Sequence, residues 1–367
     1  MKKILITTVT LEYGGAERVA VNLANQLALR KYDVRLLVLK SNGPLEKQVF
    51  SGVKLVYLHI KSLKFGLLRY YRYLNKYSPD IVISNMRNVN VIIGIFTKFL
   101  NFESIIFREA TTFTSLQTLN SLKRWLYLRF FSYTYSSAST IISNSDYTAK
   151  ELVQLKIAPF EKITVIGNPV IDRMKFLKER EQTIEHKWLS NEKLEVLLYS
   201  GRLHKVKNLH NLIYAFQIVN ATRPNLRLIL LGDGEEKSLL IDIITKNNLQ
   251  EIVDIIPFSE NPLPFYKNCD AFVLPSKWEG FGNVLVEAIS CGAPVIVNNC
   301  PGGAVELAKK SLLHKITNSN DIKQFALDIE QFLREINGRR QPKSVCDYFI
   351  ENFDTNFITE RYIDAIM

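Results

Sequence analysis

Cysteine is scarce in this chain: Cys269, Cys291, Cys300 and Cys346 are the four present in 367 residues. They show no paired metal-ligand spacing, and a chain with a large core has no need of disulfides, so a reducing, cytosolic setting is expected. The five histidines, His59, His186, His204, His210 and His314, form no compact ligand pattern either. Long apolar runs are missing too. The most apolar stretch, residues 89–100, is shorter than the roughly 20 residues that span a bilayer and contains Asn90 and Lys98. The opening MKKILITTVT runs into Glu12 and GGAER without a small-residue cleavage site, so it reads as a buried strand rather than a leader. The first glycine turn does not have the G-x-G-x-x-G spacing, which argues against NAD or FAD, and no G-x-S-x-G elbow supports a serine hydrolase.

What is present is ordinary globular composition, 47% hydrophobic and 23% charged, over a length that favours two domains of roughly 150–200 residues each. The formal net charge of +11 is unevenly spread. Residues 1–170 hold 23 Lys/Arg against 10 Asp/Glu, whereas residues 171–367 hold 24 against 26. A basic N-terminal half attracts nucleic acid, an anionic membrane or a phosphorylated substrate, and charge alone does not choose among them.

Short apolar runs alternate with longer amphipathic segments, the pattern of helices wrapped around parallel sheets. Strands are expected at residues 3–9, 33–39, 54–58, 81–84, 104–107, 140–143 and 163–166. A second series follows at 194–199, 226–231, 252–256, 271–274 and 294–297. A first helix over residues 16–29 follows the Gly14-Gly15 turn. The expected architecture is therefore α/β with two similar doubly wound, Rossmann-like domains and a cleft between them. Residues 1–168 form an N-terminal domain and 169–349 a C-terminal one, with the segment at about 350–367, helical from Thr355, packing back.

The most informative segment is PSKWEGFGNVLVEAISCGAPVIV, residues 275–297. A strand ends at Leu274, a loop carries Gly280, Phe281 and Gly282, and a helix starts at Asn283. Backbone N–H groups and a positive helix terminus beside glycine suit a diphosphate. Glu279 in that loop and Glu287 just over one turn into the helix can accept hydrogen bonds from sugar and ribose hydroxyls. Taken singly, such a pair reads as a solvated loop acid and a helix charge; its placement around EGFGN favours a ligand. SGRLHKVKNL, residues 200–209, again follows a strand, and Arg202 and Lys207 can neutralise a pyrophosphate and stabilise it as a leaving group. LLGDGE, residues 230–235, brings Gly232 and Gly234, a common turn that gains weight only from its place in the series. His204 can touch a donor or serve structurally.

In the N-terminal half, Gly14 and Gly15 either bring backbone donors to a donor phosphate or reacting sugar, or simply start a helix. These segments together resemble glycosyltransferase family 4, which has the GT-B fold: GGAER at 14–18, NPV at 168–170, GRLHKVKN at 201–208, GDGEE at 232–236 and EGFGNVLVEAISCGAPVI at 279–296. The resemblance implies that Arg202 and Lys207 hold the donor diphosphate, that Glu279 contacts the transferred sugar and that Glu287 contacts the nucleotide ribose. It also implies retention of anomeric configuration and no required cofactor or divalent metal, the nucleotide sugar being a substrate. No DxD-like metal–phosphate site is seen. Where many relatives carry a histidine near the reacting sugar, this chain has Ile105-Ile106-Phe107-Arg108-Glu109. Arg108 can contact a phosphate or sugar oxygen, but its pKa excludes a general base. Glu109 is expected either to orient it or to act as a helix-start acid. NNCPGGAVEL, residues 298–307, resembles a subgroup that transfers hexoses or N-acetylhexosamines in surface-glycan assembly.

The expected reaction is transfer of a hexosyl or N-acetylhexosaminyl group from a UDP-sugar, with GDP-sugar as the other donor, to a lipid-linked or growing polysaccharide acceptor such as lipopolysaccharide or capsule. The alternatives are a nucleotide-sugar epimerase and a noncatalytic sugar- or nucleic-acid-binding protein. Lys61, Lys64, Arg69, Arg72 and Lys76 alternate with Phe65, Leu67, Leu68, Tyr70, Tyr71, Tyr73 and Leu74, and Lys123, Arg124 and Arg129 with Trp125 to Phe131. Such segments suit peripheral binding to the anionic inner face of the cytoplasmic membrane, with nucleic acid not expected as a partner. The competing reading buries those aromatic faces in the core.

Overall fold

The computed structural model describes residues 2–60, 63–114, 116 and 119–366, with 63–65 described by backbone alone. Lys61, one of the basic residues proposed for membrane contact, lies outside the described residues, and the side chains of Lys64 and Phe65 are not described. The chain divides into two compact units, Met1–Val170 with Phe353–Met367, and Ile171–Asn352.

The first unit is built on a parallel sheet of β1 (Lys3–Thr8), β2 (Asp33–Val38), β3 (Lys54–Tyr57), β4 (Ile81–Ser84), β5 (Ser104–Glu109), β6 (Thr140–Ser143) and β7 (Ile163–Val165), in the order β3-β2-β1-β4-β5-β6-β7. Both faces of the sheet are covered, which is why the strands read as continuous apolar runs. Alternation sorts the side chains into two cores. Leu5, Leu37, Val82, Ile105, Phe107 and Ile141 lie on one face. There they meet α2 (Leu63–Tyr77), α3 (Arg87–Phe96), α4 (Ser121–Tyr135) and α5 (Asp146–Gln154), through residues such as Tyr70, Ile93, Tyr135 and Leu152. Ile4, Ile6, Leu36, Ile83, Ile106 and Ile142 lie on the other face. That face is covered by Val21, Leu23 and Leu27 of α1 (Gly15–Leu29) and by Ile358, Tyr362 and Ile366 of the chain's last helix, Thr355–Ile366. Arg30 pairs with Glu360 at 2.7 Å and so ties the end of α1 to that helix.

The second unit comprises α6 (Arg173–Glu179), β8 (Glu195–Ser200), α7 (Leu209–Thr222), β9 (Leu226–Leu231), α8 (Lys237–Lys246), β10 (Val253–Ile256), α9 (Leu263–Asn268), β11 (Ala271–Leu274), α10 (Asn283–Ser290), β12 (Val295–Asn298), α11 (Ala304–Lys309), β13 (His314–Thr317), α12 (Ile322–Ile336) and α13 (Lys343–Asn352). The helix Thr355–Ile366 is α14. All pairings are parallel and the order is β10-β9-β8-β11-β12-β13. Each sheet therefore has a switch point where the chain leaves to opposite sides, at β1/β4 in the first unit and β8/β11 in the second. In doubly wound folds ligands bind outside the carboxyl ends of such strands.

Two differences from the sequence reading stand out. β13 was not expected, because His-Lys-Ile-Thr is only partly apolar; it is a half-buried edge strand. β5 continues through Arg108 and Glu109, which were expected to lie beyond its end.

Candidate active site

At the second unit's switch point the loops following β8 and β11 are joined. Lys277 N donates to Val206 O at 2.8 Å, and Lys207 Nζ lies 2.5 Å from Glu279 Oε2. The other side of the Glu279 loop is held by the loop after β12: Glu279 N donates to Pro301 O, and Gly303 N to the carbonyls of Glu279 and Gly280. Glu279 is thus placed by backbone bonds on both flanks while its carboxylate meets the ammonium. The two side chains retain about one-fifth of their exposure, 20% for Lys207 and 16% for Glu279, so the pair remains reachable from solvent.

Arg202 is exposed, but its backbone is fixed. Tyr199 Oη donates to Arg202 O at 2.9 Å, Gly201 N to Leu231 O at 3.0 Å and Leu203 N to Asp233 O at 2.9 Å. Gly232 and Gly234 are explained by this contact. A Cβ on Gly232, at φ +150°, would meet Gly201 O at 2.0 Å, and one on Gly234 would meet Leu203 O at 2.3 Å. The glycines let the loop after β9 run against the Arg202 loop, backbone to backbone. His204 accepts from Val206 N through Nδ1 at 3.1 Å, which caps the short turn carrying Lys207.

α10 begins at Asn283 after Gly282, whose φ of +100° favours glycine, and no side chain caps the helix. Phe281 is buried at this corner. Glu287 is also buried and accepts from Tyr266 Oη of α9 at 3.3 Å. Electrostatics bind the corner together. Burial, then the charge of Glu279, pushes the Tyr199 hydroxyl well above its ordinary value, with Arg202 opposing. The Cys300 thiol is pushed up to about 12, first by burial and then by Glu279, with Lys207 opposing.

Sequence reasoning missed the polar scaffold beneath. Asn208 donates to Ser319 O and Oγ, Ser319 Oγ to Pro275 O, Asn298 Nδ2 to Ser276 O, and Ser319 N to Asn298 Oδ1, all at 2.8–3.0 Å and all buried. These bonds tie the end of β12 to the loops after β8, β11 and β13. The signal available was an Asn or Ser just past a strand, too common to single out.

In the first unit Gly15 opens α1 and is exposed, after Gly14 as an N-terminal residue without a side-chain cap. The expected Arg108–Glu109 partnership is corrected. Successive residues of β5 face opposite sides of the sheet, so the two side chains diverge. Glu109, fully buried, pairs with Arg87 at 2.9 Å and accepts from Tyr135 Oη at 2.6 Å; it is neither a helix-start acid nor the orienter of Arg108. Arg108, 1% exposed, bonds Asn85, Asn168 and Tyr362.

A family model of group 1 glycosyl transferases matches residues 180–344, and a model of glycosyltransferase family 4 matches residues 13–172. An uncharacterised glycosyltransferase of Methanocaldococcus jannaschii is 30% identical over 310 residues, 80% of this chain and 76% of that protein. The chain is a family 4 glycosyltransferase of the GT-B fold. This glycosyltransferase is also 28% identical, over 88% of its length and 89% of the relative's, to the N-acetylgalactosamine-N,N'-diacetylbacillosaminyl-diphospho-undecaprenol 4-alpha-N-acetylgalactosaminyltransferase of Campylobacter jejuni. Its fold matches that of Anabaena Alr3699/HepE in complex with UDP-glucose, with a TM-score of 0.77, 21% identity and 99% of each chain covered.

Proposed function

We propose that this glycosyltransferase moves a hexosyl or N-acetylhexosaminyl group from a UDP-sugar to a lipid-linked or growing surface-polysaccharide acceptor, with retention and without a metal. The observation that carries the reading is the Lys207–Glu279 pair at the β8/β11 switch point, with Arg202 on the same loop as Lys207. An ammonium has three donors, so Lys207 can keep Glu279 oriented toward a sugar while donating to a diphosphate oxygen. Arg202 adds a planar fork suited to the same anion. These cations oppose the charge that develops as the sugar–phosphate bond breaks, the role a metal plays elsewhere. In the retaining course implied by the family resemblance, the acceptor oxygen bonds to the anomeric carbon on the face the diphosphate leaves. The acceptor proton passes to the departing phosphate oxygen. Glu287 is assigned to the nucleotide ribose.

The acceptor class draws support from the Campylobacter relative, whose name specifies a diphospho-undecaprenol-linked glycan. It is also supported by α4, where Leu122, Trp125, Leu126, Tyr127, Phe130 and Tyr133 are exposed beside Lys123, Arg124 and Arg129, and where no acidic residue occurs. No helix among the described residues is long and apolar enough to cross a membrane. Such a face suits the interface of an anionic bilayer. The test is a mass-spectrometric screen of UDP-glucose, UDP-galactose, UDP-N-acetylglucosamine and UDP-N-acetylgalactosamine against extracted lipid-linked glycans, in excess chelator, with the product anomer read by NMR. Transfer with the donor's configuration is expected; strict metal dependence or inversion would sink the mechanism.

A further inference from the structure

Among the described residues of the first unit, Arg108 is the fully buried cation, and its hydrogen bonds go to neutral partners. Arg108 Nε donates to Tyr362 Oη at 3.1 Å, one terminal nitrogen donates to Asn85 Oδ1 at 2.9 Å, and the other to Asn168 Oδ1. A buried guanidinium kept for stability is expected to face a carboxylate, because an unpaired buried charge is costly. Here the acceptors sit instead on residues just past the carboxyl ends of β4 and β7, and on α14.

Asn85 relays the contact. Its Oδ1 must face Arg108, which only donates, so its Nδ2 is free to donate to Ala16 O, at 2.5 Å; chemistry fixes the amide orientation. Its backbone N donates to Thr7 O at 3.2 Å, anchoring it at the end of β1. Ala16 is the second residue of α1, immediately after Gly15. The chain of bonds therefore runs from β5 across the β1/β4 switch point to the glycine turn.

We propose that Arg108 is a positioning residue for glycosyl transfer: through Asn85 it fixes the Gly14–Gly15 turn and the first turn of α1, and it does not itself touch substrate. The inference rests on the reading of Gly15 as part of the donor site. A turn displaced by a fraction of an ångström leaves binding largely intact but costs rate, because alignment acts mainly on the reacting geometry.

The decisive variant is Asn85→Asp. It preserves shape and gives Arg108 a charged acceptor, yet removes the side-chain donor that reaches Ala16 O. Melting temperature should be kept while kcat, measured as UDP release from the best UDP-sugar of the screen with its lipid-linked glycan, falls about tenfold or more, with KM for the sugar nucleotide unchanged. Arg108→Lys should lower kcat as well, and combining it with Asn85→Asp should cost less than the product of the two. Tyr362→Phe, which removes an acceptor that does not lead to the turn, should lower the melting temperature and leave kcat unchanged. Gly15→Leu separates the premises. If it abolishes turnover while folded Asn85→Asp and Arg108→Lys keep wild-type kcat, the relay is wrong and the glycine-turn reading stands. Wild-type turnover in Gly15→Leu would overturn both. Should Asn85→Asp fail to fold, equal kcat in Arg108→Lys and Tyr362→Phe overturns the relay.

Discussion

The carboxyl edges of the two sheets are built on one plan and spend their charges in opposite ways. In the second unit the ionic side chains of the strand-end loops, Arg202, Lys207 and Glu279, stay within reach of solvent, while neutral Asn208, Asn298 and Ser319 do the bracing underneath. In the first unit Arg108, Glu109 and the largely covered Arg87 do the bracing, beside an edge that carries the glycine turn and the first turn of α1. A charged residue at a strand's end is thus no guide to function until its face is known.

This contrast is sharpened most by Glu109→Ala. Removing it leaves Arg87 without its carboxylate and takes an acceptor from Tyr135, whose hydroxyl is already held well above its ordinary value by burial and then by the Glu109 charge. The variant should lose about 3–5 kcal/mol of stability in a denaturant titration, with UDP affinity preserved in whatever fraction remains folded. A variant as stable as the parent would mean that the first unit's charges are not structural.

Glu279→Gln should do the reverse. Turnover is expected to drop by about 10²–10³ with an unchanged melting curve, since the amide keeps the volume but not the negative acceptor beside Lys207. Normal turnover with the native donor would remove Glu279 from the sugar site.

The smallest effects belong to the cations outside both edges. Neutralising Lys123, Arg124 and Arg129 on α4 should weaken co-sedimentation with anionic vesicles by about 1 kcal/mol per charge at low salt, and added salt should weaken it further. The Lys61, Lys64, Arg69 and Arg72 set tests the other basic, aromatic segment of the sequence. Absence of binding to anionic vesicles at low salt would reject the surface, and equal binding to neutral vesicles would remove its electrostatic part.

Much of this was legible before any coordinates. The parallel strands announced themselves because strands buried on both faces are apolar at nearly every position, and α10 begins at Asn283 as the Gly282–Asn283 junction suggested. The Arg108–Glu109 arrangement was not, although the period of two contains it. Ending β5 at Phe107 turned two strand residues into loop residues, and with them went the knowledge that they face opposite ways. β13 failed as an apolar run because an edge strand can afford polar side chains. The Asn208–Ser319–Asn298 scaffold depends on contacts between residues far apart in sequence, where no local pattern marks a partner. Gly232 and Gly234 were visible as a turn, but their reason is the backbone of Gly201 and Leu203.

The central claim is that the β8/β11 edge of the second unit holds the donor diphosphate. Calorimetric titration of UDP into the parent, Arg202→Ala and Lys207→Ala tests it most directly, because the diphosphate outlasts the sugar. Each variant should bind UDP about tenfold to a hundredfold more weakly, the worth of one charge-assisted hydrogen bond, and unchanged affinity in both would contradict the claim.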